Sequence, residues 1–230
     1  MRPLDSTDVF FFDCDGVILD SNEVKSSAFS QALPDEPLDL VEQFIHYHKE
    51  NGGVSRYTKF LHFFSEIKGI TDFQKEYELA LARYETITRE ALLSCPCIPG
   101  VMSLLLRLRE AGKKIYVVSG GAEYELHEVF AKRNLAGYFD GIYGSPKTKI
   151  ENMAAIIETD GRFDHAIYFG DAKSDYIAAK QHGANFVFVA GKSEWQEGKD
   201  FCNKNGIEII NDFNSNLIKD AIACRGTQYS

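Results

Sequence analysis

The chain has 230 residues, of which 44% are hydrophobic, and carries a formal charge of -9 at pH 7. That apolar content can fill a core, which excludes a disordered chain, and the length suits one large domain or a domain with a smaller insert. The acidic balance argues against nucleic-acid and anionic-membrane partners, since both require clustered Lys and Arg.

The opening residues, MRPLDSTD, are polar, and the apolar run after them is too short for a secretory signal or a membrane span, so a cytoplasmic setting is expected. Next comes VFFF (Val9 to Phe12), a continuous apolar run of the kind buried on both faces of a parallel sheet, ending at Asp13 and Asp15. From Leu19 to Ser94 no strand pattern occurs, and three amphipathic helices are read instead. Val41, Phe44, Ile45 and His48 line one; Tyr57, Phe60, Leu61 and Phe64 line a second; Phe73, Tyr77, Leu81 and Tyr84 line a third, which TDFQ (Thr71 to Gln74) opens as a capping box. Lone histidines on helices mostly pack, so His46, His48 and His62 receive no role.

Strands and helices then alternate. Val101, Leu104, Leu105 and Leu108 share a helix face between Pro99 and Gly112, and the apolar run of KIYVVSGG (Lys114 to Gly121) reads as a strand that ends before Ser119. Leu126, Val129 and Phe130 form the next helical stripe, and Met153, Ile156 and Ile157 another. HAIYFGD ends a strand at Asp171, SDYIAAKQHG is a helix closing at Gly183, and NFVFVAG ends a strand at Gly191. EIIND is read as a last short strand, Leu217 to Ala223 as a last helix, and RGTQYS as a frayed end. The expected fold is α/β: a Rossmann-like parallel sheet flanked by helices, formed by residues 1–18 and 95–230, with residues 19–94 inserted as an α-helical cap. Cysteines at 14, 95, 97, 202 and 224 are odd in number and lack framework spacing, so free thiols in a reducing compartment are expected.

In open parallel sheets ligands bind beyond the carboxyl ends of the strands. Asp13, Ser119 and Asp171 each follow a predicted strand and should open into one crevice. Aspartates converging there repel unless protonated or bridged by a cation, and an all-oxygen ligand set suits Mg²⁺.

Four segments carry a resemblance. DCDGVILDS resembles the first motif of the haloacid dehalogenase superfamily, VVSGG is similar to its second, GSPKTK supplies the Lys of the third, and GDAKSD matches the acidic fourth, in that order over Val9 to about Val189. The resemblance implies that Asp13 is a nucleophile forming an aspartyl-phosphate and that Asp15 protonates the leaving group and then activates water. It implies Mg²⁺ on the Asp13 carboxylate, the Asp15 carbonyl and Asp171, with Asp175 orienting waters or the Lys, and phosphoryl contacts from the Ser119 hydroxyl and the Gly120 amide. Lys147 and Lys149 both stand in the third motif; Lys149 is favoured because it begins a helix, where anions bind well. NGGVSRYTKF (Asn51 to Phe60) resembles the cap loop of the β-phosphoglucomutase-like branch, which implies that Arg56 contacts substrate. The implied activity is a Mg²⁺-dependent phosphatase acting on a small phosphorylated metabolite, a sugar or sugar-acid phosphate. A phosphomutase, or a member that binds a phosphorylated ligand without turnover, shares the same motifs.

Overall fold

The computed structural model describes residues 6–161, 163, 165–215 and 218. Four apolar residues in a row make β1 (Val9–Phe12), buried along its length. Its pleat sends Phe10 and Phe12 to one side and Val9 and Phe11 to the other, so one short strand anchors two separate cores. Each of these phenylalanines contributes roughly 1.5–3 kcal/mol of transfer free energy. The other strands are β2 (Lys114–Ala122), β3 (Gly141–Ser145), β4 (Ala166–Gly170), β5 (Asn185–Val189) and β6 (Glu208–Ile210). They form one sheet in the order β3-β2-β1-β4-β5-β6, and every pairing is parallel.

Helices cover both faces. On the Phe10 side lie α5 (Val101–Glu110) and α6 (Glu123–Lys132), through Leu104, Leu105, Leu126 and Phe130. On the Phe11 side lie α7 (Lys149–Asp160), α8 (Lys173–Gln181) and α9 (Gly198–Lys204), through Met153, Ile156, Ala178, Ala179 and Cys202. The chain runs outward from β1 through β2 to β3, then crosses back to β4 on the other flank. The order therefore reverses between β1 and β4, and the crevice at that reversal lies beyond Phe12 and Phe169, which are register partners.

Between β1 and α5 the chain forms α1 (Asn22–Gln31), α2 (Leu38–Glu50), α3 (Arg56–His62), a π-turn over Phe63–Ile67, and α4 (Gln74–Ser94). These pack around their own aromatic cluster of Phe29, Phe44, Phe60, Phe63 and Tyr84. The two chain segments that lead into and out of these helices touch each other: Asp20 donates its N–H to the Pro96 carbonyl (2.9 Å), and Ile98 donates to that of Ile18 (2.9 Å). Among the described residues no helix is long and apolar enough to cross a membrane. Cys14, Cys95, Cys97 and Cys202 are free thiols, and Cys224 lies outside the described residues.

Several expectations shift. The GIYGS strand, β3, has two glycines and no sustained apolar run, so nothing in its pattern announced it. Helices α1 and α9 also lie outside the expected elements. The capping box at Thr71 does not form: Phe73 is the N-cap of α4, without a side-chain cap, and its ring stacks on Phe64 at 5.5 Å. Ser119 lies inside β2 rather than after it, where the register with β3 slips between Val118 and Ala122. Of the helix expected over Leu217 to Ala223 only Ile218 is described, and RGTQYS lies outside the described residues.

Candidate active site

Asp13 leaves the end of β1 with its N–H still bonded to the Phe169 carbonyl at 3.0 Å, which carries the ladder one residue past the strand. Its Oδ1 accepts the Cys14 N–H at 2.7 Å, and its Oδ2 faces the Lys149 ammonium at 2.9 Å. Lys149 is the first residue of α7, whose N-terminus is fixed by a capping box between Thr148 and Glu151. The ammonium also meets Asp175 Oδ1 at 2.5 Å, while Asp175 Oδ2 accepts the backbone N–H groups of Asp171 (3.2 Å) and Ala172 (3.0 Å). Gly170 is required at this point, because a Cβ there would stand 2.3 Å from that of Asp175.

Carboxylate oxygens of Asp13, Asp171 and Asp175 all lie within 4.8 Å of one another, and all three residues are buried. Burial, with Asp175 and Asp15 nearby, raises the Asp13 carboxyl to about 7 even though Lys149 pulls it down. Asp171 is pushed well above the usual carboxylate range by burial first, then by Asp13 and Asp175. Its hydrogen-bonding partner is the Asn22 side chain, at 2.6 Å from Oδ2. For Lys149, burial opposes the charge, but Asp13 and Asp175 outweigh it and hold the ammonium protonated. Lys149 thus pairs with two of the three carboxylates and leaves Asp171 without an ion pair. The remaining repulsion, and a donor set made only of oxygen, fit a hard divalent cation such as Mg²⁺.

The expected site residues fall into two groups. Asp13, Asp15, Asp171, Gly120 and Arg56 line one cavity of about 70 Å³ at the switch point; Ser119, Lys149 and Asp175 are buried and are not part of its lining. The Asp15 carboxylate turns away from the other three acids. It accepts from Ser21 Oγ (2.5 Å) and pairs with Lys25 (2.6 Å). Burial favours the neutral Asp15 acid, yet Lys25 and Ser21 together hold its carboxyl below the usual value. Asp175 spends both oxygens on Lys149 and backbone amides, so it holds the lysine and the Asp171 turn in place. Ser119 Oγ accepts the Gly121 N–H at 3.1 Å. Lys147 is exposed, unlike Lys149.

The loop between α2 and α3 closes the top of the cavity. Gly53 packs so near Gly120 that a Cβ on Gly120 would lie 2.2 Å from the Gly53 carbonyl oxygen, and Ser174 Oγ donates to the Gly52 carbonyl at 2.9 Å. Arg56 is buried against Glu125 of α6, with its guanidinium 4.8 Å from the Tyr84 ring centroid. Beside it the cavity wall includes Lys59, which stands with Arg56 in the NGGVSRYTKF stretch, and Lys25, His48 and Glu194, for which the sequence suggests no site role. Asn22 and Lys25 belong to α1, outside the expected elements; polar residues at i and i+3 in line with buried Ala28 and Phe29 are the available signal. His48 was read as part of an apolar stripe, and it does stack near Phe29 (4.4 Å), but both ring nitrogens are hydrogen-bonded.

The chain belongs to the haloacid dehalogenase-like hydrolase family, whose sequence model matches residues 10–189. No curated protein sequence matches it. Solved structures share the fold at low identity. CbbY from Rhodobacter sphaeroides, solved with phosphate and, as a variant, with xylulose-1,5-bisphosphate, is 15% identical with a TM-score of 0.70, covering 90% of this chain and 95% of its own. A predicted phosphatase from Clostridium acetobutylicum is 20% identical, with a TM-score of 0.69 and coverage of 93% and 97%. YfnB from Bacillus subtilis, a HAD-hydrolase bound to magnesium, is 17% identical, with a TM-score of 0.61 and coverage of 87% and 99%.

Proposed function

We propose that this hydrolase is a Mg²⁺-dependent phosphatase that cleaves a small phosphorylated metabolite, a sugar or sugar-acid phosphate, through an aspartyl-phosphate on Asp13. The observation that carries this reading is the convergence of buried Asp13, Asp171 and Asp175 around Lys149 at the strand switch point. Asp13 and Asp171, with the Asp15 carbonyl, would hold Mg²⁺, which when bound supplies positive charge that lets an anionic carboxylate meet an anionic phosphoryl group. The fold shared with CbbY and YfnB, one bound to phosphate and the other to magnesium, is in keeping with this.

The chain's own groups divide the work. An Asp13 oxygen attacks phosphorus while Asp15, as the acid, gives its proton to the departing alkoxide; the P–O bond to the alcohol breaks and the alcohol leaves. Asp15, now a carboxylate, takes a proton from water as that water attacks the phosphoenzyme, releasing inorganic phosphate and restoring both acids. Lys25 holds Asp15 ionised in the closed form, which suits the second half; the first half requires that pair to loosen as substrate enters. Ser119 and the Gly120 amide steady phosphoryl oxygens, and Lys149 keeps Asp13 oriented.

Residues 1–18 and 95–230 act as the catalytic core and residues 19–94 as its cap. The cavity of about 70 Å³ is well below the roughly 300 Å³ or more of typical ligand pockets, so substrate requires the Gly52–Gly53 loop to lift. The deciding experiment is phosphate release across a panel of phosphorylated metabolites with Mg²⁺, with EDTA, and with Asp13→Asn. Release by wild type alone, and only with Mg²⁺, is expected. Comparable turnover by Asp13→Asn rejects the nucleophile, and isomerisation without phosphate release redirects the reading to a mutase.

A further inference from the structure

Helices α1 and α3 place three buried cations on the cavity wall: Lys25, Arg56 and Lys59. Two already have an anion. Lys25 pairs with Asp15, and Arg56 pairs with Glu125. Lys59 differs. It is 2% exposed, its ammonium sits 5.3 Å from the Phe29 ring centroid, and its hydrogen bond goes to His48 Nδ1 at 2.7 Å. Among the described residues no carboxylate comes within ion-pair reach of it.

The contacts of His48 fix how this lysine is held. Because Nδ1 accepts from Lys59, the ring is neutral and carries its proton on Nε2, which donates to Ser26 Oγ at 2.7 Å. Ser26 in turn donates to Glu194 Oε2 at 2.6 Å. Glu194 Oε2 also lies 3.6 Å from His48 Nε2, so the nearest compensating charge in this relay stands one imidazole away and does not touch the ammonium. Burial lowers the Lys59 ammonium to about 7, Glu194 opposes that shift, and Lys25 and Lys149 add to it. A buried cation without a counter-ion is costly, and it faces a cavity whose far wall holds the nucleophile. An anion supplied by a ligand would offset that cost.

We propose that Lys59 receives a second anionic group of the substrate, a carboxylate or a further phosphate, so that the substrate is a phosphate ester charged at both ends. The inference rests on the phosphatase reading of the same cavity, and it names the class within it. Lys59 is then a specificity-determining residue, held in position by His48, Ser26 and Glu194. A charged hydrogen bond at a desolvated site is worth roughly ten- to a hundredfold in affinity.

Calorimetric titration of Asp13→Asn with Mg²⁺ tests this without turnover. The ligands are matched pairs: 3-phosphoglycerate against glycerol 3-phosphate for a carboxylate, and glucose 1,6-bisphosphate against glucose 6-phosphate for a phosphate. In at least one pair the doubly anionic member binds about tenfold or more tightly. That ratio falls towards one in Asp13→Asn/Lys59→Met and returns in Asp13→Asn/Lys59→Arg. A lysine that only latched the cap would weaken both members and leave the ratio intact, which overturns the proposal, as does a ratio near one in the parent. Lys59→Gln, which still donates to His48, replaces the Met variant if that does not fold. Wild-type hydrolysis of p-nitrophenyl phosphate separates the two readings. Turnover without anion preference rejects the Lys59 assignment alone, and anion preference without turnover rejects the phosphatase alone.

Discussion

Lys149→Met removes the one cation that Asp13 and Asp175 share. Lys149 is 5% exposed, Asp13 3% and Asp175 0%, so bulk water screens none of the three. Deleting one partner of a buried ion pair costs roughly 3–5 kcal/mol, because the carboxylates stay behind without compensation. For a chain of this length each kcal/mol moves the melting temperature by about 2–4 °C, which gives a fall of about 6–20 °C. Differential scanning calorimetry in EDTA at pH 8 measures it. Asp13 has an escape, since burial already raises its carboxyl to about 7 and losing Lys149 raises it further. A carboxyl raised in the folded state takes up a proton that the unfolded chain lacks, so stability is retained at low pH and lost as pH rises. The deficit should therefore be smaller at pH 5.5 than at pH 8, and added Mg²⁺ should recover part of it by binding the folded form. A melting temperature within 1–2 °C of wild type at pH 8, or a deficit unchanged at pH 5.5, would refute the view that Lys149 offsets carboxylate repulsion here.

Asp13→Asn should remain folded by circular dichroism while phosphate release falls to background. Arg56→Ala leaves Glu125 buried with no counter-ion and should cost about 3–5 kcal/mol in urea denaturation, with most of it regained in Arg56→Ala/Glu125→Gln; an equal cost in the double variant would dissociate the pair. Gly120→Ala sets a methyl against the Gly53 carbonyl and should lower kcat/KM at least tenfold through a displaced loop, at a stability cost of about 1–3 kcal/mol by thermal melt; wild-type kinetics would show that the loop need not seat there. Between about pH 7 and 10.5 the unfolded chain holds a proton on Lys59 that the folded chain has shed, so wild-type stability should rise through that window. Lys59→Met lacks that rise, and its melting-temperature advantage near pH 6.5 should shrink by pH 9.5; a constant gap would contradict the burial argument.

The acids at the sheet edge were legible because each ends an apolar run. VFFF fits a short strand buried on both faces, which puts Asp13 at its carboxyl end, and HAIYFG places Asp171 in the same way. Parallel pairing then brought them together across the switch point. Lys149 was legible through its helix start, although the sequence alone left Lys147 beside it. Of the wall opposite, only Arg56 was legible. Asn22 reaches Asp171 across 149 positions, and Ser26 reaches Glu194 across 168. Such contacts depend on how α1 and α2 lie against the sheet, which hydrophobic periodicity does not encode. GIYGS escaped for a local reason, since a strand with two glycines has little apolar signal.

The hydrogen bonds joining Asp20 to Pro96 and Ile18 to Ile98 mean that everything between them leaves and rejoins the sheet at a single doorway. A block joined this way can be exchanged for a different block without breaking a rung of the ladder beneath. Lineages of such a chain could therefore acquire new clients by altering the tethered part while keeping the same chemistry under it.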